Sequence, residues 1–316
     1  MKITILGCGA FGSALKTPFL EKELDLWMWS KFEKEIQNHP QETPSIHYTT
    51  SLKEATQNTN LIIIAIPINF LKDTLIELKN DDQKQNILIA SKGIDTKTLK
   101  FAYQIVEETL GTAPLGVLSG GSFAIDMSNK NVLGLTLATT NQEIQQIIKE
   151  YMENEQIKIQ YTKDILGVSI CGAIKNVMAI GYGILDGSNL PDSSKFLYLT
   201  NAIYEIKSLI HKLNGDPETI MTYAGIDDIM MTCTSHTSRN YTLGSLIGQN
   251  APKEKIEEYK KNTTIEGLGT TKAIQEIAEK QKINLPLTNT IYQILYQNKK
   301  ATELINILKK ENFTQQ

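Results

Sequence analysis

Cysteine is scarce in this chain and arginine is almost absent. Cys8, Cys171 and Cys233 are the only cysteines, lie far apart and form no C-x-x-C pair. An odd, scattered set does not build a disulfide framework, so a reducing, cytoplasmic setting is expected. The four histidines, His39, His47, His211 and His236, show neither H-E-x-x-H nor any other metal-ligand spacing, and no metal is expected. Arg239 is the one arginine among many lysines, a bias that reads as codon usage and singles out the arginine that persists. A net charge of −3 over 316 residues leaves no basic excess, so nucleic acid and anionic membrane are not expected partners. Repeats and low-complexity tracts are also lacking.

Long apolar runs are few, and one dominates. Ile165–Leu185 reads ILGVSICGAIKNVMAIGYGIL, with Lys175 its only charge. Apolar residues at Ile170, Ala173, Ile174, Val177, Met178, Ile180 and Ile184 recur at helical spacing. Such a helix is roughly 30 Å long, long enough for a bilayer. A mid-span charge would cost about 3 kcal/mol or more there, and no second span exists to shelter it. The run is therefore expected to be the buried helix of a soluble protein, without membrane insertion. It carries an ammonium inward, which is rare for a lysine that is neither paired nor functional.

What is present in the first half is an alternation of strands and helices. Lys2–Leu6 is a short strand, followed by Gly7-Cys8-Gly9-Ala10-Phe11-Gly12, a helical pattern over Ser13–Glu23 and a second strand over Leu24–Trp29. The N-terminus superficially resembles a signal peptide, but the glycine spacing is more specific. G-x-G-x-x-G between a strand and a helix is the context in which the motif binds a dinucleotide. Gly7 allows the tight turn, Gly9 the approach of pyrophosphate, and Gly12 close helix–strand packing. An acid that would hold ribose hydroxyls is missing from the second strand end, which reads Trp29-Ser30-Lys31 with no acid until Glu33. Lys31 tilts the expectation toward NADPH over NADH.

Further strands are expected at Leu61–Ile66, Ile87–Ala90, Leu115–Leu118, Val132–Ala138 and Ile157–Tyr161, with a helix over Gln142–Met152. Ser91-Lys92-Gly93 follows one strand, and Ser119-Gly120-Gly121-Ser122 follows another. Strand C-termini are where open α/β sheets bind ligands, and small residues there let backbone N–H groups point at an anion. From Asp164 onward the β-rich runs vanish. Helices are expected at Lys195–Asn214, Pro217–Ala224, Arg239–Gly248, Thr271–Gln281, Thr288–Tyr296 and Thr302–Lys310. Two domains follow from this change: an α/β, Rossmann-like domain with a mainly parallel sheet over 1–165, and an all-α domain over 166–316. The helical half gathers polar residues at Ala224-Gly225-Ile226-Asp227-Asp228, Ser238-Arg239-Asn240 and Ile265-Glu266-Gly267, read as loops. Paired carboxylates such as Asp227 and Asp228 are more often solvated caps than functional groups.

Taken together, GCGAFG, SKGI, SGGSFA, GVSICGAIKNVMAIGYGILDG, AGIDDIMMTCTS, SRN, IEG with TTKA, and LPLTNTIYQILY resemble the bacterial type of NAD(P)-dependent glycerol-3-phosphate dehydrogenase. The matches run in order from Gly7 to Tyr296. The resemblance implies reduction of dihydroxyacetone phosphate to sn-glycerol 3-phosphate with NADH or NADPH, the product feeding phospholipid synthesis. It implies Lys175 as proton donor and acceptor. It places Lys92, Gly120, Ser122, Lys175, Asp228, Thr232, Ser238, Arg239 and Asn240 at a small phosphorylated substrate. Cofactor contacts would be Gly7, Gly9, Ala10, Phe11, Gly12, Trp29, Lys31, Lys92, Ala124, Arg239, Thr264 and Glu266. It also suggests a homodimer. Departures are Gly121 for the usual proline, Asp227 for a glycine, Trp29 for an arginine-like residue, and Ser188–Ser193 for a glycine-rich turn. Rival readings are another 3-hydroxyacid-type dehydrogenase, marked by preference for an unphosphorylated substrate, and a cofactor sensor that binds NADPH without oxidising it.

Overall fold

The computed structural model describes residues 1–37, 45–79 and 85–310; His39 lies outside them. The chain divides into two compact units. The first comprises Met1–Lys92 and Phe101–Ile165, and the second comprises Gly93–Lys100 and the chain from Leu166 onward. The short excursion Gly93–Lys100 thus belongs with the helical half, although it sits amid the strands in sequence.

The first unit is one eight-stranded sheet in the order β3-β2-β1-β4-β5-β6-β7-β8. Its strands are β1 (Lys2–Leu6), β2 (Asp25–Trp29), β3 (Ile46–Thr49), β4 (Leu61–Ile64), β5 (Asn86–Ile89), β6 (Leu115–Ser119), β7 (Leu133–Thr139) and β8 (Ile157–Thr162). All neighbours are parallel except β6 and β7. The runs LIII and NILI are buried at every residue, as strands covered on both faces must be. Around the sheet lie α1 (Ala10–Leu15), α2 (Glu33–Gln37), α3 (Leu52–Thr56), α4 (Ile68–Leu78), α5 (Ala102–Leu110), α6 (Ala124–Ser128) and α7 (Gln142–Tyr151). Ile3, Ile5, Leu26, Met28, Ile63 and Leu135 form part of its core. Strand order reverses between β2-β1 and β4-β5, the switch point at which such sheets bind ligands beyond their strand C-termini.

Several local expectations are corrected. The helix predicted over Ser13–Glu23 begins earlier, at Ala10, and stops at Leu15; a 3-10 turn, Thr17–Phe19, follows. Pro18 lacks an N–H and its ring would strike the carbonyl of Ala14 in a continued helix. Strand β3 and helices α4 and α5 are additional to the expected elements, although α4 buries Leu71, Thr74, Leu75 and Leu78 and α5 buries Ala102, Ile105, Val106 and Thr109 at helical spacing. Four-residue β3 is held at the sheet edge by pairing with β2.

The second unit is helical: α8 (Ile165–Gly187), α9 (Asp192–Lys212), α10 (Asp228–Thr234), α11 (Arg239–Gly248), α12 (Lys253–Asn262), α13 (Glu266–Gln281), α14 (Pro286–Tyr296) and α15 (Thr302–Lys310). Helix α8 is long and apolar enough to cross a membrane, and 83% of its most apolar window is buried within the protein. Its glycines explain how it packs: a Cβ on Gly183 would stand 2.2 Å from the carbonyl oxygen of Tyr241, and one on Gly244 would stand 2.0 Å from that of Ile180. Helices α8 and α11 therefore meet backbone to backbone, closer than any side chain would permit.

The stretch Pro217–Ala224, expected to be helical, is a 3-10 turn at Pro217–Met221 followed by a wide turn at Tyr223–Asp227. Gly225 breaks the helical path with φ −91° and ψ −106°, pressed against Ile220. Helix α12 buries no residue, so no apolar stripe announced it.

Candidate active site

In the first unit the glycine loop closes over the end of the sheet. Gly7 N donates to Trp29 O at 2.8 Å, and Gly7 has φ +120°. A Cβ at Gly12 would lie 2.0 Å from Gly7 O, whereas one at Gly9 would meet nothing within 4 Å. Two glycines are thus required by the turn and the helix approach, and the third leaves backbone open for a ligand. No side chain caps α1 at Gly9, which leaves its first-turn N–H groups available to an anion. These residues fit a dinucleotide pyrophosphate. Phe11 is half-buried and Ala10 exposed beside it.

Lys92 gathers the first-unit candidates. Its Nζ donates to Gly120 O at 3.3 Å and lies 5.7 Å from the centre of the Phe11 ring. Ser91 anchors the loop by donating to Ile66 O at 2.5 Å, and Gly93 turns the chain with φ +110°. Gly120 allows no side chain, since a Cβ would sit 2.4 Å from Gly134 O. Ser122 Oγ is buried and has no hydrogen-bond partner among the described residues, as is also true of Ser119 Oγ. Buried hydroxyls are ordinarily satisfied, so Ser122 and Ser119 both stand out. Ala124 begins α6. Trp29 is buried, with its indole N–H given to Thr50 O at 3.0 Å, and Lys31 is exposed.

In the second unit the ammonium of Lys175 donates to the carboxylate of Asp228. Lys175 is 7% exposed and Asp228 is fully buried. Asp228 begins α10 rather than capping a wet loop, because the wide turn before it delivers the residue inward; Asp227 is only half-buried. Thr232, one turn later on α10, donates to Asp228 Oδ1 at 3.4 Å. Cys233 lies fully buried nearby, its thiol raised far above its ordinary range by burial, with Lys175 opposing that shift.

A second polar knot adjoins Lys175 along α8. Asn240 Nδ2 donates to Asn176 Oδ1 at 2.9 Å, and Asn176 Nδ2 donates to Glu266 Oε2 at 3.2 Å. Gly267 N donates to Asn240 Oδ1 at 2.9 Å. The knot joins α8, α11 and the start of α13, and adds Asn176 to the polar cluster around Lys175, a residue that the expected site left out. Its signal was a polar amide next to Lys175 in the apolar middle of the helix.

Ser238 is the N-cap of α11, its Oγ accepting from Tyr241 N at 3.3 Å. Arg239 follows as the first helical residue; it is exposed and makes no ion pair with a described carboxylate. Thr264 is exposed just before α13. Among the described residues no group of three or more His, Cys, Asp or Glu could hold a metal ion.

The first unit therefore holds a dinucleotide loop with a lysine and a buried hydroxyl that no described residue engages. The second holds a buried lysine–carboxylate pair and, at a helix start, an arginine that no described carboxylate engages. Models of the N- and C-terminal parts of the NAD-dependent glycerol-3-phosphate dehydrogenases match residues 2–146 and 164–306. Similar curated proteins include a glycerol-3-phosphate dehydrogenase [NAD(P)+] of Thermoanaerobacter sp., 33% identical over 96% of both chains. Another, of the same name, comes from Staphylococcus haemolyticus and is 30% identical over 97% of both. Among solved structures, a glycerol-3-phosphate dehydrogenase of Coxiella burnetii superposes with a TM-score of 0.90 at 26% identity, covering 98% of this chain and 99% of that one. The chain belongs to the NAD-dependent glycerol-3-phosphate dehydrogenase family.

Proposed function

We propose that Lys175 carries the proton in the reaction of this enzyme, an oxidoreductase that interconverts dihydroxyacetone phosphate and sn-glycerol 3-phosphate with NADH or NADPH. The bound cofactor supplies the hydride. As the ketone carbon is reduced its oxygen takes up negative charge, and the Lys175 ammonium stabilises that charge and then gives up a proton to it. In the reverse direction the neutral amine takes the proton back from the alcohol. Asp228 holds the ammonium in place, and Thr232 braces the carboxylate.

The observation that carries this reading is the burial of the Lys175–Asp228 pair. Desolvating two charges costs several kcal/mol per ion before their attraction repays it, so a buried pair is a weak choice for stability alone. Arg239 suits the substrate phosphate, because a guanidinium binds phosphate bidentately and this one is not engaged by a described carboxylate. The N–H groups at the start of α11 add to it. Asn240 orients substrate with the one amide hydrogen it has not given to Asn176. The family resemblance assigns Gly120, Ser122 and Lys92 to the substrate as well, Lys92 as a second cation. Ala10, Phe11, Ala124, Thr264 and Glu266 contact the cofactor.

In the cell the product serves phospholipid synthesis in the cytoplasm, a setting supported by three buried free thiols. A homodimer is supported by Phe196, Leu197 and Tyr204, large apolar residues exposed on one face of α9.

The decisive experiment is Lys175→Met. It retains the apolar stem and should keep NADH affinity while turnover of dihydroxyacetone phosphate falls about 10²-fold or more. Near-normal turnover would remove Lys175 from the role.

A further inference from the structure

The end of β2 carries an acid that linear spacing hides. Trp29 is the last residue of β2, and its carbonyl is tied to the glycine loop through Gly7 N at 2.8 Å. Ser30 is the next residue. In dinucleotide folds this strand end reads the adenosine ribose: a carboxylate accepts from the 2′-hydroxyl, whereas a cation accommodates a 2′-phosphate. Here the chain turns back through α2 and sets Glu35 Oε2 2.5 Å from Ser30 Oγ. Phe32 N also donates to Ser30 Oγ, at 3.1 Å, closing the turn.

Glu35 is felt in the glycine loop itself. The Cys8 thiol is pushed up to about 12, chiefly by burial and further by the charge of Glu35, against the opposing charge of Lys16. A carboxylate therefore stands near both the phosphate loop and the ribose end of β2. Among the described cations nearby, Lys16 is buried and donates to Tyr48 Oη at 3.1 Å, and Lys34, beside Glu35 on α2, is exposed. Lys31 is exposed.

We propose that Glu35 sets the cofactor preference of this enzyme, favouring NADH over NADPH by holding a carboxylate at the strand end that reads the ribose. Ser30 is the positioning residue that fixes it. The carboxylate accepts from a free 2′-hydroxyl and repels a 2′-phosphate, whose charge at neutral pH is close to two. The inference rests on dinucleotide binding at the glycine loop, and it reverses the preference that Lys31 alone suggests.

Fluorescence titration of the intact protein with NADH and with NADPH, at low and at physiological ionic strength, tests it without turnover. NADH should bind roughly tenfold or more tightly at low salt. The gap should narrow with added salt, as the screening length falls from about 30 Å at 0.01 M to about 8 Å at 0.15 M. Glu35→Gln keeps the size and removes the charge, so NADPH should tighten by roughly tenfold while NADH weakens only a few-fold. Ser30→Ala, which releases the carboxylate without removing it, should give a smaller shift in the same direction. Equal affinities in the unaltered protein, a preference for NADPH, or a ratio unmoved by Glu35→Gln would each overturn the assignment. Failure to bind either dinucleotide would overturn it together with the reading of the glycine loop.

Discussion

Glu205 lends itself to a quantitative test because its whole environment is defined. It lies on α9, is fully buried, and accepts from Leu287 N at 2.7 Å, Thr288 N at 2.9 Å and Thr288 Oγ1 at 2.6 Å. Helix α14 has no side-chain cap of its own at Leu285, so a carboxyl from another helix satisfies its first N–H groups. Burial raises the Glu205 pKa from 4.5 to about 7, with the three hydrogen bonds opposing the rise. The native state then holds a proton that the unfolded chain releases. That contribution to stability is fully present below about pH 4.5, declines across the window and is gone above about pH 7. At about 1.4 kcal/mol per pKa unit the loss is about 3 kcal/mol.

Glu205→Gln is the matching perturbation. The amide keeps one acceptor for Thr288 but turns an NH₂ toward Leu287 N–H or leaves it unpaired, at a cost of about 1–3 kcal/mol. Its stability no longer carries the titration. Urea unfolding of both proteins at intervals from pH 4.5 to 8 gives the difference between them, from which titrations shared by the two cancel. The native protein should be the more stable at pH 4.5, and its advantage should shrink by about 3 kcal/mol toward pH 8, enough to cancel or reverse it. A difference independent of pH would refute the reasoning.

Two further changes probe the candidate site. Arg239→Lys replaces a planar fork by a point charge and should raise the KM for dihydroxyacetone phosphate with little change in kcat; an unchanged KM would argue against phosphate contact. Gly267→Ala would place a Cβ 2.5 Å from Asn240 Oδ1 and 2.8 Å from Asn176 O. Forcing that knot apart should cost about 1–3 kcal/mol in unfolding free energy and raise the KM as Asn240 shifts. A variant with native stability and native KM would show that the knot does not position Asn240.

Membership of the family and the two kinds of structure were legible in the chain because their signals are local. A β-branched strand, three glycines and a helix start within a dozen residues need no distant partner to be recognised, and neither does a change from alternating to helical periodicity. Boundaries failed where one residue overruled the pattern, as Pro18 ended α1 and the extended backbone of Thr222 broke the helix expected over Pro217–Ala224. The antiparallel placing of β7 depends on strand pairing, which apolar content does not encode.

The chemistry of individual residues was decided by tertiary structure, because burial and partnership are properties of space rather than of sequence. Lys175 was conspicuous as a charge in an apolar helix, yet its partner Asp228 is far along the chain and looked like half of a solvated pair. Ser238, matched to substrate by resemblance, also caps α11 through its hydroxyl oxygen. Asn176 acquires its place only when three helices meet at Asn240 and Gly267. Glu35 reaches Ser30 only because the chain turns back after β2, which sets a carboxylate beside a strand end where the linear reading found Lys31 and no acid before Glu33.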